Sequence, residues 1–335
     1  MSGKTKNLWL ILPLIAAASL CLIFTTTVRA QDEDERRLWD GAFLKKRAEA
    51  KTPSADPSAR KTTAYRRVTP KKTAAPNSTS PNPTTQNPAP KNPASQNAPS
   101  QNPAAKNQPD EKADGEMIGL TIWRLRASRT ADNKDARLLL EDDSNAETEW
   151  TPERVEAETV FAANDRVRLG IESPRNGYLY VIDREQYADG TVSDPYLIFP
   201  TLRNRDGANS VTAGKLIELP ERSAFRLKPM RSDYAGEMLV VLVTSEPLKD
   251  IKPGTGATKL DSEMVKQWES QWAGAVERFE LIGGAGKPYT KAEKEAGQEG
   301  ARILTQDDAM PQTLYHVSVK RGAPLLVTVP LRIGK

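Results

Sequence analysis

The sequence predicts a mainly β domain of the β-rich α+β class, an antiparallel β-sandwich carrying one packed amphipathic helix. Three observations support this. Short apolar stretches separated by turn residues fill residues 116–335, only one long segment there has helical spacing, and a proline- and asparagine-rich linker precedes it.

The strand candidates fall into two types. Arg166–Glu172 alternates between apolar and charged residues, as a strand with one buried face does. The candidates 178–182 and 237–244 are apolar on both faces, the second one throughout 238–243, which is typical of central strands. The remaining candidates are 119–126, Tyr196–Phe199, 314–320 and 324–333, and the last two are predicted to form a closing hairpin through residues 321–323.

One segment has the spacing of an amphipathic helix. Asp261 is placed to cap it, and its apolar positions are Met264, Val265, Trp268, Trp272 and Val276. We interpret Trp268 and Trp272, one turn apart, as anchors that pack the helix on a sheet; the alternative is a stacking platform for sugar. A second, weaker helix is predicted over 291–297.

The N-terminal segment has the pattern of a secretory signal. Lys4 and Lys6 precede an apolar run over 8–24, and small residues lead to a cleavage site between Ala30 and Gln31. The predicted signal peptide is 1–30, and the predicted location is exported, either periplasmic or extracellular. Because the apolar run approaches the length of a membrane span, the alternative is an uncleaved membrane anchor.

The segment between the signal and the domain divides into two parts. Residues 31–50 are charged, and their apolar residues are spaced for a short helix that docks on a membrane or partner; the alternative, which we favour, is a frayed spacer. Residues 51–115 are predicted to be a disordered linker, because they hold 12 of the 25 prolines and an Asn-containing pentapeptide repeat over 76–110. A linker of this type would act as a stalk that displays the domain.

Charge follows the same division. Residues 51–109 carry nine Lys and Arg residues against one acidic residue, Asp56, whereas 110–335 has a net charge of about −6. Nucleic-acid binding requires basic clusters on the folded surface, so no nucleic-acid partner is expected. A membrane partner is expected only if the signal segment is not cleaved.

A resemblance to a known family rests on four motifs. They are Asp165-Arg-Val-Arg-Leu, Glu172-Ser-Pro-Arg-Asn-Gly-Tyr-Leu-Tyr-Val-Ile, Leu197-Ile-Phe-Pro200 and Val211-Thr-Ala-Gly-Lys215 followed by Ile217-Glu-Leu-Pro220. Over residues 160–247 the chain resembles the bacterial domain-of-unknown-function family numbered 4384. The resemblance implies a bacterial envelope or secreted module and implies no catalytic residues.

Several chemistries are excluded or disfavoured by composition. The only cysteine, Cys21, lies in the predicted signal, so a mature chain has no disulfide, thiol or cysteine-bound metal chemistry. The only histidine, His316, lies in a predicted strand and faces away from its apolar side. Asp183, Asp189 and Asp194 surround a predicted hairpin, but we interpret them as solvated residues. No catalytic, cofactor-binding or metal-binding residue is assigned, and no cofactor is expected.

These observations favour a non-catalytic envelope module that binds a protein or a glycan. The candidate partner-binding residues are Tyr187, Tyr196, Arg203 and Asn209. One alternative is a carboxylate-dependent hydrolase of envelope polysaccharide, which would need converging acidic residues with raised pKa values. The other is a structural spacer.

Overall fold

A computed structural model describes residues 43–49, 64–69, 115–141, 147–298, 302–320 and 322–334. The predicted signal peptide with its cleavage site at Ala30 and Gln31, and the pentapeptide repeats, lie outside these residues. No helix in the described ranges is long and apolar enough to cross a membrane.

Within the described residues the chain forms sixteen strands and two α-helices. The strands are β1 (Tyr65–Val68), β2 (Gly115–Ala127), β3 (Leu138–Glu141), β4 (Glu147–Val155), β5 (Val160–Phe161), β6 (Arg166–Glu172), β7 (Gly177–Tyr187), β8 (Tyr196–Phe199), β9 (Ser210–Val211), β10 (Leu216–Leu219), β11 (Phe225–Arg226), β12 (Tyr234–Thr244), β13 (Thr258–Lys259), β14 (Ala275–Leu281), β15 (Thr313–Ser318) and β16 (Leu325–Ile333). The helices are α1 (Ser262–Trp272) and α2 (Lys291–Ala296). The predicted β-rich fold is confirmed.

The strands form two sheets. Sheet I has the order β1-β14-β15-β2-β4-β3, with β6 also paired to β2 and carrying β10 and β11. Sheet II has the order β13-β8-β7-β12-β16-β5, with β9 paired to β7. All pairs are antiparallel except β16 with β5. The main apolar core lies between the sheets, because residues of both, such as Leu169 of β6 and Val241 of β12, belong to the same buried cluster.

Helix α1 covers the outer face of sheet II. The Asp261 side chain accepts a hydrogen bond from the backbone N–H of Met264 at 2.8 Å, so the predicted N-cap is present. Trp268 and Trp272 stack with ring centroids 5.7 Å apart and pack on the apolar cluster beneath the helix, in the anchoring role. Val276, predicted in this helix, instead lies in β14, because the helix ends at Trp272.

The predicted closing hairpin is wrong. Strand β15 pairs with β2 and β14 in sheet I, whereas β16 pairs with β12 in sheet II. Each of the two strands has one apolar face toward the same core. Two strands show this pattern whether they are paired in one sheet or lie in two sheets that face each other. The chain therefore passes from one sheet to the other between β15 and β16.

The N-terminal segment lies against the domain rather than ahead of it. Phe43 and Arg47 are buried at 1% and 4% exposure, flanking a 3-10 turn at Leu44–Lys46 that takes the place of the predicted helix. Tyr65–Val68, inside the predicted linker, pairs with β14 as the edge strand of sheet I. The aromatic ring of Tyr65 is buried, which explains why this piece of a polar segment is ordered.

The two ends of the proline-rich segment therefore emerge from the same sheet. The order β1-β14-β15-β2 places two strands between Val68 and Gly115, and the register brings both to the same end of the sheet. Strand spacing and rise put these two residues roughly 17 Å apart. Residues 43–49 and β1 therefore belong to the same folded unit as the strands from β2 onward.

Candidate functional site

Three carboxylates occur where the strand pattern calls for core residues. Alternation along β7 places Asp183 and Glu185 on the face that Leu179 and Val181 present to the core. On β12, Glu237 is the cross-strand partner of Glu185, and the adjacent Leu239 is the partner of Asp183. The three carboxylates thus lie together at one end of the inner face of sheet II.

A bulge in β12 brings a tyrosine to the same place. The register with β7 shifts between Tyr234 and Gly236, and the Tyr234 hydroxyl donates a hydrogen bond to Glu237. Gly236 has a φ of 147°, and a Cβ there would come within 2.1 Å of the Leu331 carbonyl oxygen. Glycine is required for this bulge, and the bulge positions Tyr234.

Two further tyrosines lie around the carboxylates. Tyr187 follows Glu185 on the same face of β7, and Tyr196 of β8 is the cross-strand partner of Asp183. Tyr187 is buried, whereas Tyr196 is 38% exposed. We call this set the acidic–tyrosine cluster, and its members are Asp183, Glu185, Glu237, Tyr187, Tyr196 and Tyr234.

The carboxylates of the cluster have no compensating cation. Within the described part of the chain, none of the three forms a salt bridge, and Glu237 is only 6% exposed. Three buried oxygens, Asp183 Oδ1, Glu185 Oε2 and Glu237 Oε2, lack a hydrogen-bond donor among the described residues. Unpaired buried acceptors are rare in native folds and call for a ligand, a water molecule or a proton.

The missing cation has a direct electrostatic consequence. Burial, followed by repulsion from Asp183, raises the pKa of Glu237 to about 9. Burial also raises the pKa of Asp183 to about 6, and the hydrogen bond with Glu237 opposes this rise. Asp183 and Glu237 therefore titrate as a pair, and the pair retains a proton to a higher pH than two isolated carboxyl groups would.

The tyrosines of the cluster are held in their neutral forms. Burial and a hydrogen bond to Glu237 raise the pKa of Tyr234, and burial and Glu185 raise the pKa of Tyr187. The guanidinium of Arg231 lies 3.9 Å from the ring centroid of Tyr187. One aromatic ring of the cluster thus already contacts a cation through its face.

The four predicted partner-binding residues separate into two pairs. Tyr187 and Tyr196 belong to the acidic–tyrosine cluster. Asn209 instead fixes a loop, because its Nδ2 donates to the Leu179 carbonyl at 3.1 Å and its own carbonyl accepts from the Leu179 N–H at 2.9 Å. Arg203 lies in an exposed turn at 202–203.

The predicted acidic group around the hairpin also separates. Asp183 faces inward, whereas Asp189 is bonded to Thr191 and Arg231, and Asp194 is paired with Lys259. Sequence reasoning missed Glu185 and Glu237. The signal for Glu185 was present, since a strand with Leu179 and Val181 inward must also place residues 183 and 185 inward.

Three other buried acidic residues in the described ranges are each paired with an arginine. On the outer face of sheet I, three buried arginine–glutamate pairs join Arg47 to Glu172, Arg154 to Glu293 and Arg168 to Glu218. A cavity of about 30 Å³ lies between the first two pairs and has room for water only. Such paired charges stabilise local packing and leave no unpaired acceptor for a ligand.

The other sequence-level candidates have structural roles. His316 is half-buried, and it faces away from Tyr315 and Val317 as predicted. Its Nδ1 lies 3.4 Å from Glu277. Residues 282–286, in the glycine-rich stretch that precedes Lys287, form turns. No group of three or more metal-ligating side chains with a suitable arrangement occurs in the described ranges.

Comparison with protein-family models, curated proteins and solved structures finds no match for this chain. The resemblance to the bacterial domain family numbered 4384 therefore stays a prediction.

Proposed function

We propose that this protein is an exported, non-catalytic module that binds a partner through the acidic–tyrosine cluster. The observation that carries the proposal is a group of three carboxyl groups that form no salt bridge among the described residues and lie within a ring of tyrosines. A fold keeps an uncompensated charge at a cost in stability, and functional sites are where such costs are commonly found.

The geometry favours binding over glycoside hydrolysis. Asp183 and Glu237 are near enough for their carboxyl groups to interact directly. Glycoside hydrolases hold their two carboxyl groups about 5–5.5 Å or 6.5–9.5 Å apart, leaving room for the sugar or for water. Hydrolysis is the second candidate, because carboxyl groups with raised pKa values are suited to general acid catalysis.

Two further features concern export and the alternative of a structural spacer. The pattern of residues 1–30 supports export, and a chain without cysteine beyond Cys21 must fold without disulfides. A spacer function is disfavoured, because residues 43–49 and β1 lie on the domain instead of extending from it.

A binding experiment with matched variants tests the proposal. The chain from Gln31 onward, which retains every described residue, is immobilised and exposed to solubilised envelope components. The comparison is between the natural sequence, Asp183→Asn combined with Glu185→Gln, and the control Asp189→Asn, which alters an exposed acid of the same hairpin.

We expect a specific component to be retained by the natural chain and the control, and lost from the double variant. Equal retention by all three chains would contradict the proposal. Release of reducing sugar ends by the natural chain and not by the double variant would establish the hydrolase instead.

A further inference from the structure

We infer that an open pocket at the edge of the core binds a small aliphatic carboxylate through the guanidinium of Arg124. The residues that line this pocket include none of the acidic–tyrosine cluster. The inference therefore goes beyond the proposed function and does not depend on it.

The pocket lies between the two sheets and is open to solvent. Its volume is about 500 Å³. Sheet I contributes Arg124 and Arg126 of β2 and Glu153 of β4, and sheet II contributes Val160 and Phe161 of β5. Pockets that hold small molecules commonly have volumes of about 300–1,000 Å³, so this pocket has room for a ligand.

Arg124 occupies a position of β2 that faces the core. Ile122, two residues earlier, belongs to the main buried cluster, and alternation along the strand places Arg124 on the same face. The guanidinium at this position is half-buried and lines the pocket. A charged group on an inward-facing position costs stability unless it is paired or solvated, so its partners decide its role.

Arg124 has no such partner within the described part of the chain. It is the one buried or half-buried arginine there without a hydrogen bond, an ion pair or a ring contact to another described residue. Its cross-strand partner is Glu153, but Glu153 instead accepts from Arg126 Nε at 2.6 Å. Both terminal nitrogens of Arg126 donate to Asp132, at 2.6 and 2.8 Å. Of the two cations that line the pocket, Arg124 is therefore the one whose fork is unused.

The unused fork specifies the charged group of the ligand. A guanidinium binds a carboxylate or a phosphate through two parallel N–H···O bonds. Two acidic side chains also line the pocket, Glu153 and Asp165, and Asp165 accepts from the backbone N–H of Ala162 at 2.9 Å. Because like charges repel, these acids disfavour a doubly charged phosphate, and a singly charged carboxylate matches the pocket better.

The remaining walls specify the body of the ligand. Leu125, Val160 and Phe161 line the pocket beside the charged residues. Val160 is 57% exposed, so its side chain offers apolar surface that a ligand can cover. A carboxylate carried on a short aliphatic chain uses both the guanidinium and this apolar wall.

The test compares three probes that separate the charged group from the apolar body. They are 4-methylpentanoate, its uncharged isostere 4-methylpentanamide, and inorganic phosphate. Binding to the chain from Gln31 onward, which retains every described residue, is followed by shifts of the backbone amide signals of residues 124, 161 and 162.

We expect 4-methylpentanoate to shift these signals with saturation, phosphate to bind more weakly and the amide to have no saturable effect. Arg124→Gln should weaken the binding of 4-methylpentanoate about tenfold, because charge-assisted hydrogen bonds are lost. The matched control is Arg222→Gln, which removes an exposed arginine and should leave binding unchanged. Since Arg124 has no described partner to lose, Arg124→Gln should not lower the melting temperature, as loss of a purely structural arginine would.

Four outcomes would overturn the inference: equal binding of the amide, a response to 4-methylpentanoate that never saturates, tighter binding of phosphate, or an unchanged affinity in Arg124→Gln. A lower melting temperature of Arg124→Gln would also contradict it, because the guanidinium would then have a structural partner. None of these outcomes affects the proposed function, since the variants that test envelope binding leave Arg124 and the pocket intact.

Discussion

Arg47 donates hydrogen bonds from Nε and Nη2 to both carboxylate oxygens of Glu172, at 2.8 and 2.7 Å. Both side chains are almost fully buried, with 1% and 3% exposure. Further donors of Arg47 reach the carbonyl oxygens of Asp308 and Ala309. A residue that precedes the proline-rich segment is thereby fixed to strand β6, so the segment begins and ends on one folded unit.

Loss of the Arg47 side chain should destabilise the whole domain. Arg47→Ala leaves Glu172 buried without its cation, and breaking a buried pair in this way costs about 3–5 kcal/mol. The measurement is urea unfolding of the chain from Gln31 onward. The matched control is Arg66→Ala, which removes an exposed pair with Glu156 and should cost less than about 1 kcal/mol. Equal, small effects of both substitutions would show that residues 43–49 are not part of the folded unit.

Cutting the chain within the repeats should not release the N-terminal piece. A protease site placed at residues 90–95 yields two fragments, and the contacts of Phe43, Arg47 and Tyr65 should keep them together during gel filtration. Arg47→Ala combined with Tyr65→Ala removes the two main anchors, and the fragments of that variant should separate. Separation of the unsubstituted fragments under native conditions would restore the stalk interpretation.

The N-cap of helix α1 offers a local test of the packing of sheet II. Asp261→Ala removes the acceptor for the Met264 N–H and should lower the free energy of unfolding by about 1 kcal/mol. Glu263→Ala, two residues away, removes only an exposed pair with Lys266 and should cost less than about 0.5 kcal/mol. Thermal unfolding followed by tryptophan fluorescence measures the stability of both variants, since Trp268 and Trp272 report on the helix. Equal losses of stability in the two variants would argue against the cap.

The acidic–tyrosine cluster should make the domain less stable as the pH rises. Glu237 and Asp183 have raised pKa values in the folded state, so the unfolded chain ionises first and becomes favoured between about pH 4 and pH 9. The stabilisation from these two protonated carboxyl groups is complete below their pKa values in the unfolded chain. It is lost as the pH rises through their pKa values in the folded chain. Glu237→Gln mimics the protonated acid, so it should flatten this decline in melting temperature. A decline of equal slope in both proteins would show that other groups cause it.

The local pattern of the sequence predicted much of the fold. Arg166–Glu172 and Tyr196–Phe199 have the predicted bounds, and Asp261 caps the predicted helix, because alternation and capping are properties of neighbouring residues. The assignment of β15 and β16 to different sheets depends on contacts distant in sequence. An apolar face shows that a strand packs against the core. It does not show to which of the two sheets the strand belongs.

The site was predicted only in part. Tyr187, Tyr196 and Asp183 were singled out, but the decisive partner Glu237 lies fifty residues beyond the hairpin and meets Glu185 only through β-pairing. The ordered segment at residues 43–49 was missed for a similar reason. Arg47 in a charged stretch looks solvated, and its buried partner is 125 residues away.

A pair of interacting carboxyl groups, Asp183 and Glu237, lies at the end of sheet II without a pairing cation among the described residues. The most direct test is a nuclear magnetic resonance titration of the side-chain carboxyl carbons in the folded chain. We expect the Asp183–Glu237 pair to titrate in two steps, near pH 6 and near pH 9, and the upper step to fall in Asp183→Asn. A Glu237 transition near its ordinary value of about 4.3, unchanged by that substitution, would contradict the claim.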